Sequence, residues 1–170
     1  MKKTLSIATL IAATLLPNLA NADINVQPFF GMGSGVNIDS MDHSDSDNEF
    51  SGALQVRTGV ILEDTHRLML SYQYSGELEQ SNYLSSYDYM YSVAPKVKLF
   101  AGTTAGMSDS DLGYGHESEF VWGGQVGAVY QFDNITSLEL MYRYLDQDNE
   151  VNGEVLDSTQ EISASIDFRF

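Results

Sequence analysis

Apolar and polar residues alternate along most of the chain from residue 23 onward, in segments of about ten residues. A period of two is typical of a β-strand whose two faces meet different environments, whereas an amphipathic helix repeats its apolar positions every three to four residues. A first, less regular segment covers Ile24 to Gly35. Seven regular segments follow, beginning near Leu54, Leu68, Tyr87, Val97, Phe120, Leu138 and Ile162.

The connections between these segments alternate in length. Short turns are predicted at 63–65, around Pro95 and at 133–136, and long polar loops at 37–49, 76–85, 108–119 and 146–157. Four long loops at one end, with three tight turns and both chain ends at the other, are the plan of an up-and-down barrel. The sequence therefore predicts an all-β fold, an eight-stranded antiparallel up-and-down transmembrane β-barrel.

A soluble barrel of the lipocalin kind, with its apolar face inward, is the main alternative. Glycine weakens a strand, so glycines on a solvated face have no benefit, whereas the narrow interior of an eight-stranded barrel needs small side chains. With Gly124 as an exception, the glycines gather on the polar face, at Gly31, Gly33, Gly59, Gly102, Gly106, Gly123 and Gly127. This distribution favours a polar face that points inward and an apolar face that contacts lipid.

Aromatic residues on the apolar face gather toward the strand ends. We place one group near the turns, namely Tyr130, Phe132, Phe168 and Phe170, and the other near the long loops, namely Tyr72, Tyr74, Tyr87, Tyr89, Phe120, Trp122, Tyr142 and Tyr144. Two such belts are typical of the two interfaces of a membrane barrel.

The first 22 residues differ from the rest. Lys2 and Lys3 precede a short apolar stretch at 5–16, and Ala20-Asn21-Ala22 has the small residues that a signal peptidase recognises. The apolar stretch is too short to span a bilayer, which needs about 20 residues. We predict a secretory signal peptide at residues 1–22 and a barrel domain at residues 23–170.

Composition excludes several functions. The 170 residues include no cysteine, which rules out disulfides, thiolate zinc sites and a cysteine nucleophile. The 24 acidic residues outnumber the 8 basic ones, so a nucleic-acid partner is not expected. A hydrophobic content of 43% is too high for a disordered acidic chain.

Nine charged residues fall on the predicted inward face. Because charges withdrawn into a narrow barrel need partners, we interpret them as a salt-bridged plug, with a gated pore or a catalytic cluster as alternatives. They are Arg57, Arg67, Asp88, Lys98, Glu139, Arg143, Glu161, Asp167 and Arg169.

The four long loops contain 16 acidic residues and no lysine or arginine. In the first loop, Asp42, Asp45, Asp47 and Glu49 supply the hard oxygen ligands that Ca²⁺ prefers, although the spacing is not that of an EF-hand. Otherwise no cofactor is expected. The alternatives are a solvated, self-repelling rim, and diffuse binding of Ca²⁺ or Mg²⁺ shared with lipopolysaccharide phosphates.

The signal peptide, the eight-strand layout and the ending Ile166-Asp167-Phe168-Arg169-Phe170 resemble the OmpX/OmpA-type small outer-membrane barrels of Gram-negative bacteria. The resemblance implies an outer-membrane location among outer-membrane lipids and lipopolysaccharide. It also implies that Ile166, Phe168 and Phe170 form the signal read by the barrel assembly machinery. Ser165 departs mildly from the glycine often found near this point.

Lipid A deacylases and palmitoyltransferases include barrels of this size whose layout resembles this one. These enzymes use a serine activated by histidine. Here His66 lies beside a short turn, and His43 and His116 lie in predicted loops that lack a strand to fix their geometry. We therefore expect a non-enzymatic surface protein with a structural, envelope or adhesion-like role, whose acidic loops contact the envelope, divalent cations or an external ligand. A narrow porin-like channel is the alternative, and lipid A modification is the third.

Overall fold

The computed structural model describes residues 25–42, 49–75, 80–111, 116–151 and 154–170. The predicted signal peptide at 1–22 lies outside these residues. Within them, no helix is long and apolar enough to cross a membrane. The secondary structure consists of eight strands: β1 Val26–Asp42, β2 Glu49–Leu62, β3 His66–Ser75, β4 Gln80–Ala94, β5 Val97–Asp111, β6 His116–Gln131, β7 Thr136–Val151 and β8 Glu154–Arg169.

Each strand pairs antiparallel with the next, and β8 returns to pair with β1, so the sheet closes into a barrel. Phe30 of β1 lies opposite Thr58 of β2 on one side and opposite Phe168 of β8 on the other. Closure leaves no strand edge unpaired, which is what a sheet surrounded by hydrocarbon requires. The predicted eight-stranded up-and-down barrel is confirmed.

The two faces alternate as the sequence predicts. On β3, the side chains of Arg67, Met69, Ser71 and Gln73 are buried inside the barrel, while Leu68, Leu70, Tyr72 and Tyr74 are exposed on the outside. An exposed apolar outer surface of this kind is stable in lipid, and in water it would be a large hydrophobic patch.

The long polar loops predicted at 37–49, 76–85, 108–119 and 146–157 are too long. The strands extend into all four, so that only residues 43–48, 76–79, 112–115 and 152–153 lie outside the described strands there, and β1 covers Val26–Asp42 instead of Ile24 to Gly35. On β7 the outward residues change from Tyr142 and Tyr144 to Asp146. Residues 146–150 are polar on both faces of the strand, so the apolar alternation ends. The backbone pairing between β7 and β8 nevertheless continues to Val151. We call the end of the barrel where β1, β3, β5 and β7 finish the hairpin end. The opposite end, where β2, β4 and β6 finish in short turns, is the turn end.

One aromatic belt also needs correction. Tyr89 lies opposite His66, the first residue after the β2–β3 turn, so Tyr87 and Tyr89 lie toward the turn end and not the hairpin end. Tyr83 takes the expected place near the hairpin end, 5.0 Å from Tyr72 between ring centroids. The sequence misled because 76–85 appears loop-like, although β4 begins at Gln80.

The β2–β3 turn fixes a charged residue at the barrel mouth. Glu63 and Asp64 both have positive φ, at 51° and 58°, and the Thr65 amide donates to the Leu62 carbonyl at 3.0 Å. This is the geometry of a type I′ hairpin turn, whose twist matches that of the flanking strands. It holds Asp64 where its carboxylate can reach the barrel interior.

The β6–β7 turn depends on Asp133. Its Oδ1 accepts hydrogen bonds from the backbone amides of Thr136 at 2.6 Å and Ile135 at 2.8 Å. These bonds, that to Thr136 first, hold the pKa of the Asp133 carboxyl below its ordinary value of 3.8.

A pH dependence follows from this lowered pKa. The carboxylate stabilises the folded state above its unfolded-state pKa, and the stabilisation is lost as the pH falls through the lower folded-state value. We expect Asp133→Asn, which keeps the acceptor oxygen and loses the charge, to lower the urea midpoint near neutral pH and to match the unsubstituted protein at about pH 2. Equal differences between the two proteins at both pH values would contradict this role.

Candidate functional site: the charged barrel interior

All nine charged residues predicted for the interior lie inside the barrel. They come from six of the eight strands, and none is more than 8% exposed. Each of these residues occupies an inward-facing position on its strand. The closed sheet therefore brings together residues that are far apart in sequence. Charges this deeply buried are tolerated when they are paired and hydrogen-bonded.

Glu139 is the centre of the largest cluster. Its Oε1 accepts from Arg57 Nη1 at 2.7 Å, and its Oε2 accepts from Arg67 Nη1. Arg57 also makes a two-pronged contact with Asp167, from Nε to Oδ1 at 2.8 Å and from Nη2 to Oδ2 at 2.6 Å. Arg67 Nε donates to Asp88 Oδ2 at 2.8 Å. Two guanidinium groups are therefore held by three carboxylates, with Glu139 shared between them.

A second cluster joins the first through an amide. Arg143 Nη1 donates to Glu161 Oε2 at 3.0 Å, and Arg143 Nε donates to Gln125 Oε1 at 3.0 Å. The Nε2 of Gln125 then donates to Asp88 Oδ1 at 2.7 Å. Sequence reasoning missed Gln125, although its inward position on β6 beside Arg143 could have indicated it.

The last two cations lie near the turn end. Lys98 Nζ donates to Asp64 Oδ1 at 2.9 Å and to the Asp64 carbonyl at 3.0 Å. The sequence places Asp64 in the predicted turn at 63–65 and does not predict this contact, because only the fold brings the turn over β5. Arg169 has no ion pair among the described residues. When the Gln131 amide is oriented with its oxygen toward Arg169, Nη2 of Arg169 donates to that oxygen at 3.2 Å.

Glycines make room for the network. A Cβ on Gly31 would collide with the Asp167 carboxylate and lie 3.1 Å from Arg57 Cγ. A Cβ on Gly102 would collide with the Asp88 carboxylate and with the Tyr87 carbonyl. The glycines on the inward face are thus explained by close approach of charged side chains and neighbouring backbone.

An apolar layer lies beside the charges, toward the turn end. The guanidinium of Arg67 stacks over the ring of Phe100, 4.5 Å from its centroid, which joins the two layers. The period-two alternation is consistent with an inward position for several residues of this layer, but it does not predict that they pack together. The layer consists of Phe29, Ile61, Met69, Met90, Phe100, Val129 and Met141. Ion pairs and apolar side chains together fill this part of the barrel.

The other predicted sites are placed as follows. Asp45, Asp47 and His43 lie outside the described residues, while Asp42 ends β1 and Glu49 begins β2. Within the part of the chain that the structure describes, no three His, Cys, Asp or Glu side chains are grouped to hold a metal ion. His116 is the first residue of β6, in a strand and not in a predicted loop. His66 Nδ1 is hydrogen-bonded to the Tyr87 hydroxyl at 2.8 Å, near the turn end.

The three residues of the predicted assembly signal lie on the outer face of β8. Ile166 pairs with Met32 of β1 and Leu138 of β7, and Phe168 pairs with Phe30 and Thr136. Phe170 follows the end of β8 and is strongly exposed. All three side chains therefore belong to the lipid-facing surface.

Several solved structures similar to this one are small outer-membrane barrels. Neisserial surface protein A matches with a TM-score of 0.65 and 17% identity, over 88% of this chain and all of that chain. Ail, the attachment invasion locus protein of Yersinia pestis, matches with 0.56 and 11% over 85% and 98%. The N-terminal barrel of Pseudomonas aeruginosa OprF matches with 0.55 and 14% over 86% and 100%.

No protein-family model matches the sequence, and no curated protein is significantly similar to it. At these identities the likeness concerns the fold. The eight-stranded closed barrel and its apolar outer surface are the architecture of the OmpX/OmpA-type small outer-membrane barrels, to which this chain is similar in fold.

Proposed function

We propose that this protein is a non-enzymatic surface protein, whose closed barrel anchors an acidic hairpin end outside the cell that binds divalent cations and other cationic groups. The observation that carries the proposal is the separation of charge between the interior and the hairpin end. We call the acids of the hairpin end the acidic crown. They are Asp39, Asp42, Asp45, Asp47, Glu49, Glu77, Glu79, Asp109, Asp111, Glu117, Glu119, Asp146, Asp148, Glu150, Glu154 and Asp157.

The interior supports an anchoring role. Its four inward carboxylates and Asp64 at the mouth all make ion pairs with inward cations. Carboxylates engaged in this way do not offer a free general base, and an apolar layer fills the barrel beside them. We therefore assign the function to the acidic crown at the hairpin end and not to the interior of the barrel.

The acidic crown supports a cationic partner. It has no compensating lysine or arginine, and Asp39 is the register partner of Glu49 across the β1–β2 hairpin. A group of acids without basic residues repels itself, so a bound cation would lower the free energy of this end of the chain. Ail, which has been solved in complex with the heparin analogue sucrose octasulfate, binds a polyanion. The crown of this chain disfavours such a ligand.

The likeness to a neisserial surface protein and to an attachment protein supports a surface role. In this orientation the crown lies beside lipopolysaccharide, whose phosphates could share Ca²⁺ or Mg²⁺ with the acids. The outward Ile166, Phe168 and Phe170 would then be the signal by which the barrel assembly machinery inserts the chain with its turn end in the periplasm.

Calcium titration of the folded protein in detergent tests the proposal. We expect saturable binding heat, and we expect it to fall strongly when Asp42, Asp45, Asp47 and Glu49 are changed to their amides, because a site holds Ca²⁺ more tightly when more of its oxygen ligands are negatively charged. Glu63→Gln, an acid at the turn end, is the matched control and should leave the heat unchanged. Equal heats from the crown variant and the unsubstituted protein would overturn the proposal.

Conductance measurements distinguish the anchor from a channel. We expect purified protein in planar bilayers to show no stable open level, because the ion pairs around Glu139 and the apolar layer fill the barrel. Discrete openings of nanosiemens size would favour the porin-like alternative.

A further inference from the structure

The inward face of four neighbouring strands, β8, β1, β2 and β3, changes character between the ion pairs and the hairpin end. It presents glycine, alanine and serine there, with Gln55 as the one large side chain, whereas β4, β6 and β7 carry an apolar cluster of Leu84, Val121 and Leu145. An eight-stranded barrel is wide enough inside for side chains to fill it, so a run of small ones leaves room. We call this patch the polar wall, namely Gly33, Gly35, Ala53, Gln55, Ser71, Ser163 and Ser165.

The register shows that these residues are neighbours. Gly33 of β1 lies opposite Gln55 of β2 on one side and opposite Ser165 of β8 on the other. Glu161 also reaches the patch, because its Oε1 lies 3.3 Å from the position that a Cβ on Gly35 would take. Both inward residues of β1 in this patch are glycines, so no β1 side chain separates Gln55 from β8.

The buried side chains of the patch have polar atoms without a hydrogen-bond partner among the described residues. Both Oε1 and Nε2 of Gln55 are unpaired, and this side chain is only 4% exposed. The hydroxyls of Ser71 and Ser163 are unpaired as well. Glu161 accepts from Arg143 through Oε2, but its Oε1 is unpaired. Buried polar groups in proteins are almost always paired, so this concentration in one patch indicates a bound partner.

The mixture of donors and acceptors decides what that partner is. A cation would pair with the oxygens, but it would leave the Nε2 donor of Gln55 unpaired and would lie near the guanidinium of Arg143, which is 3.0 Å from Glu161. An anion would be repelled by Glu161. Water both donates and accepts, and a buried water molecule typically makes about three hydrogen bonds to otherwise unpaired groups.

We propose that the polar wall binds a cluster of buried water molecules, which pair with Gln55, Ser163 and the free oxygen of Glu161. Adjacent strands lie about 4.8 Å apart and a hydrogen bond to water is about 2.8 Å long, so one or two waters can join β2 to β8 over the glycines. The Nε2 of Gln73 donates to Asn37 Oδ1 at 3.2 Å, from β3 to β1, on the hairpin side of the patch. This bond and the ion pairs enclose the waters, which therefore exchange slowly with solvent.

The proposal does not depend on the acidic crown. The waters lie inside the barrel, and the ion pairs around Glu139 close it toward the turn end, so the cluster forms no continuous path through the protein. Its role is to complete the hydrogen bonds of the anchor. Failure of the calcium titration would leave it standing, and a dry interior would leave the crown proposal standing.

Rotating-frame NOE spectroscopy between water and perdeuterated protein in deuterated detergent tests the proposal. We expect cross-peaks between water and the Nε2 protons of Gln55, with the sign that distinguishes a bound water molecule from proton exchange. Gln125 is the matched control, because this buried glutamine donates to Asp88 at 2.7 Å and accepts from Arg143 at 3.0 Å, and it should give no such cross-peak. No cross-peak at Gln55, or equal cross-peaks at both glutamines, would overturn the proposal.

A substitution that fills the space extends the test. Ala53 faces inward two residues before Gln55, so the added methyl groups of Ala53→Val should displace the waters and abolish the Gln55 cross-peak. Ala101→Val makes the same change on the lipid-facing side of β5 and should leave the cross-peak unchanged. Folding of both variants is checked by the heat-dependent shift in gel mobility. If the folded Ala53→Val protein kept the full cross-peak, the water would not lie at the polar wall and the proposal would be wrong.

Discussion

Replacing Glu139 by glutamine is expected to lower the free energy of unfolding by about 3–5 kcal/mol, the usual cost of breaking a buried ion pair from one side. Glu139 accepts from both Arg57 and Arg67, and its side chain is fully buried. The neutral amide keeps the shape but offers one acceptor oxygen, and its amide nitrogen points a donor at a guanidinium. Two arginines would then share too little negative charge in a site that water does not reach. Urea unfolding followed by the fluorescence of Trp122 or by gel mobility measures the change.

The control for Glu139→Gln is a charge-matched change in the acidic crown. Asp148→Asn also removes one carboxylate, but near the hairpin end, where we expect a change within about 0.5 kcal/mol. If Glu139→Gln cost no more than this control, the interior charges would not depend on one another, and the interpretation of the network as a cooperative plug would be wrong.

The fold could be predicted from the sequence because the barrel wall separates two environments at every residue. On β2, for example, lipid-facing residues are Leu54 and Val56, and inward residues are Gln55 and Arg57. The alternation of apolar and polar residues in the sequence reports this difference directly. The same alternation identifies which charged residues are inside. It depends only on position along one strand, so it needs no knowledge of the neighbouring strands.

The features that the sequence did not predict depend on how strands are placed against each other. The position of Tyr87 along the barrel axis follows from the register of β4 on β3. The pairing of Lys98 with Asp64 follows from the way the β2–β3 turn folds over the end of the barrel. Neither is encoded in a local pattern. The ends of the strands were missed for a related reason, since a hydrogen-bonded hairpin in water has no apolar face to reveal it.

The corrected position of Asp64 also changes how the charge is distributed. The interior cations now number five against five carboxylates, so the barrel is balanced and the excess of acid belongs almost entirely to the crown. Five pairs do not form, however, because Arg57 and Arg67 between them engage three carboxylates. Arg169 is consequently left without an ion pair among the described residues, and its guanidinium donates to the Gln131 amide oxygen.

Two glycines on adjacent strands provide the sharpest test of how tightly the interior is filled. Gly102 of β5 faces inward and its register partner is Asp88, whereas Gly124 of β6 faces lipid. A Cβ on Gly102 would collide with the Asp88 carboxylate, which binds Arg67 and Gln125, and would lie 2.9 Å from the Asp88 Cα. A Cβ on Gly124 would meet only the Gly102 carbonyl oxygen, at 3.6 Å.

We therefore expect Gly102→Ala to lower the free energy of unfolding by about 3 kcal/mol, because overpacking displaces the Asp88 carboxylate from its two donors. Gly124→Ala adds the same methyl group to the outside of the same sheet and should instead stabilise the barrel by about 0.5 kcal/mol, since alanine loses less conformational freedom than glycine on folding. The two unfolding curves, measured in one detergent and one urea series, give the difference directly. If both substitutions had the same effect, the space around Asp88 would be larger than the structure shows, and the interior could not be the filled, ion-paired plug that closes this barrel.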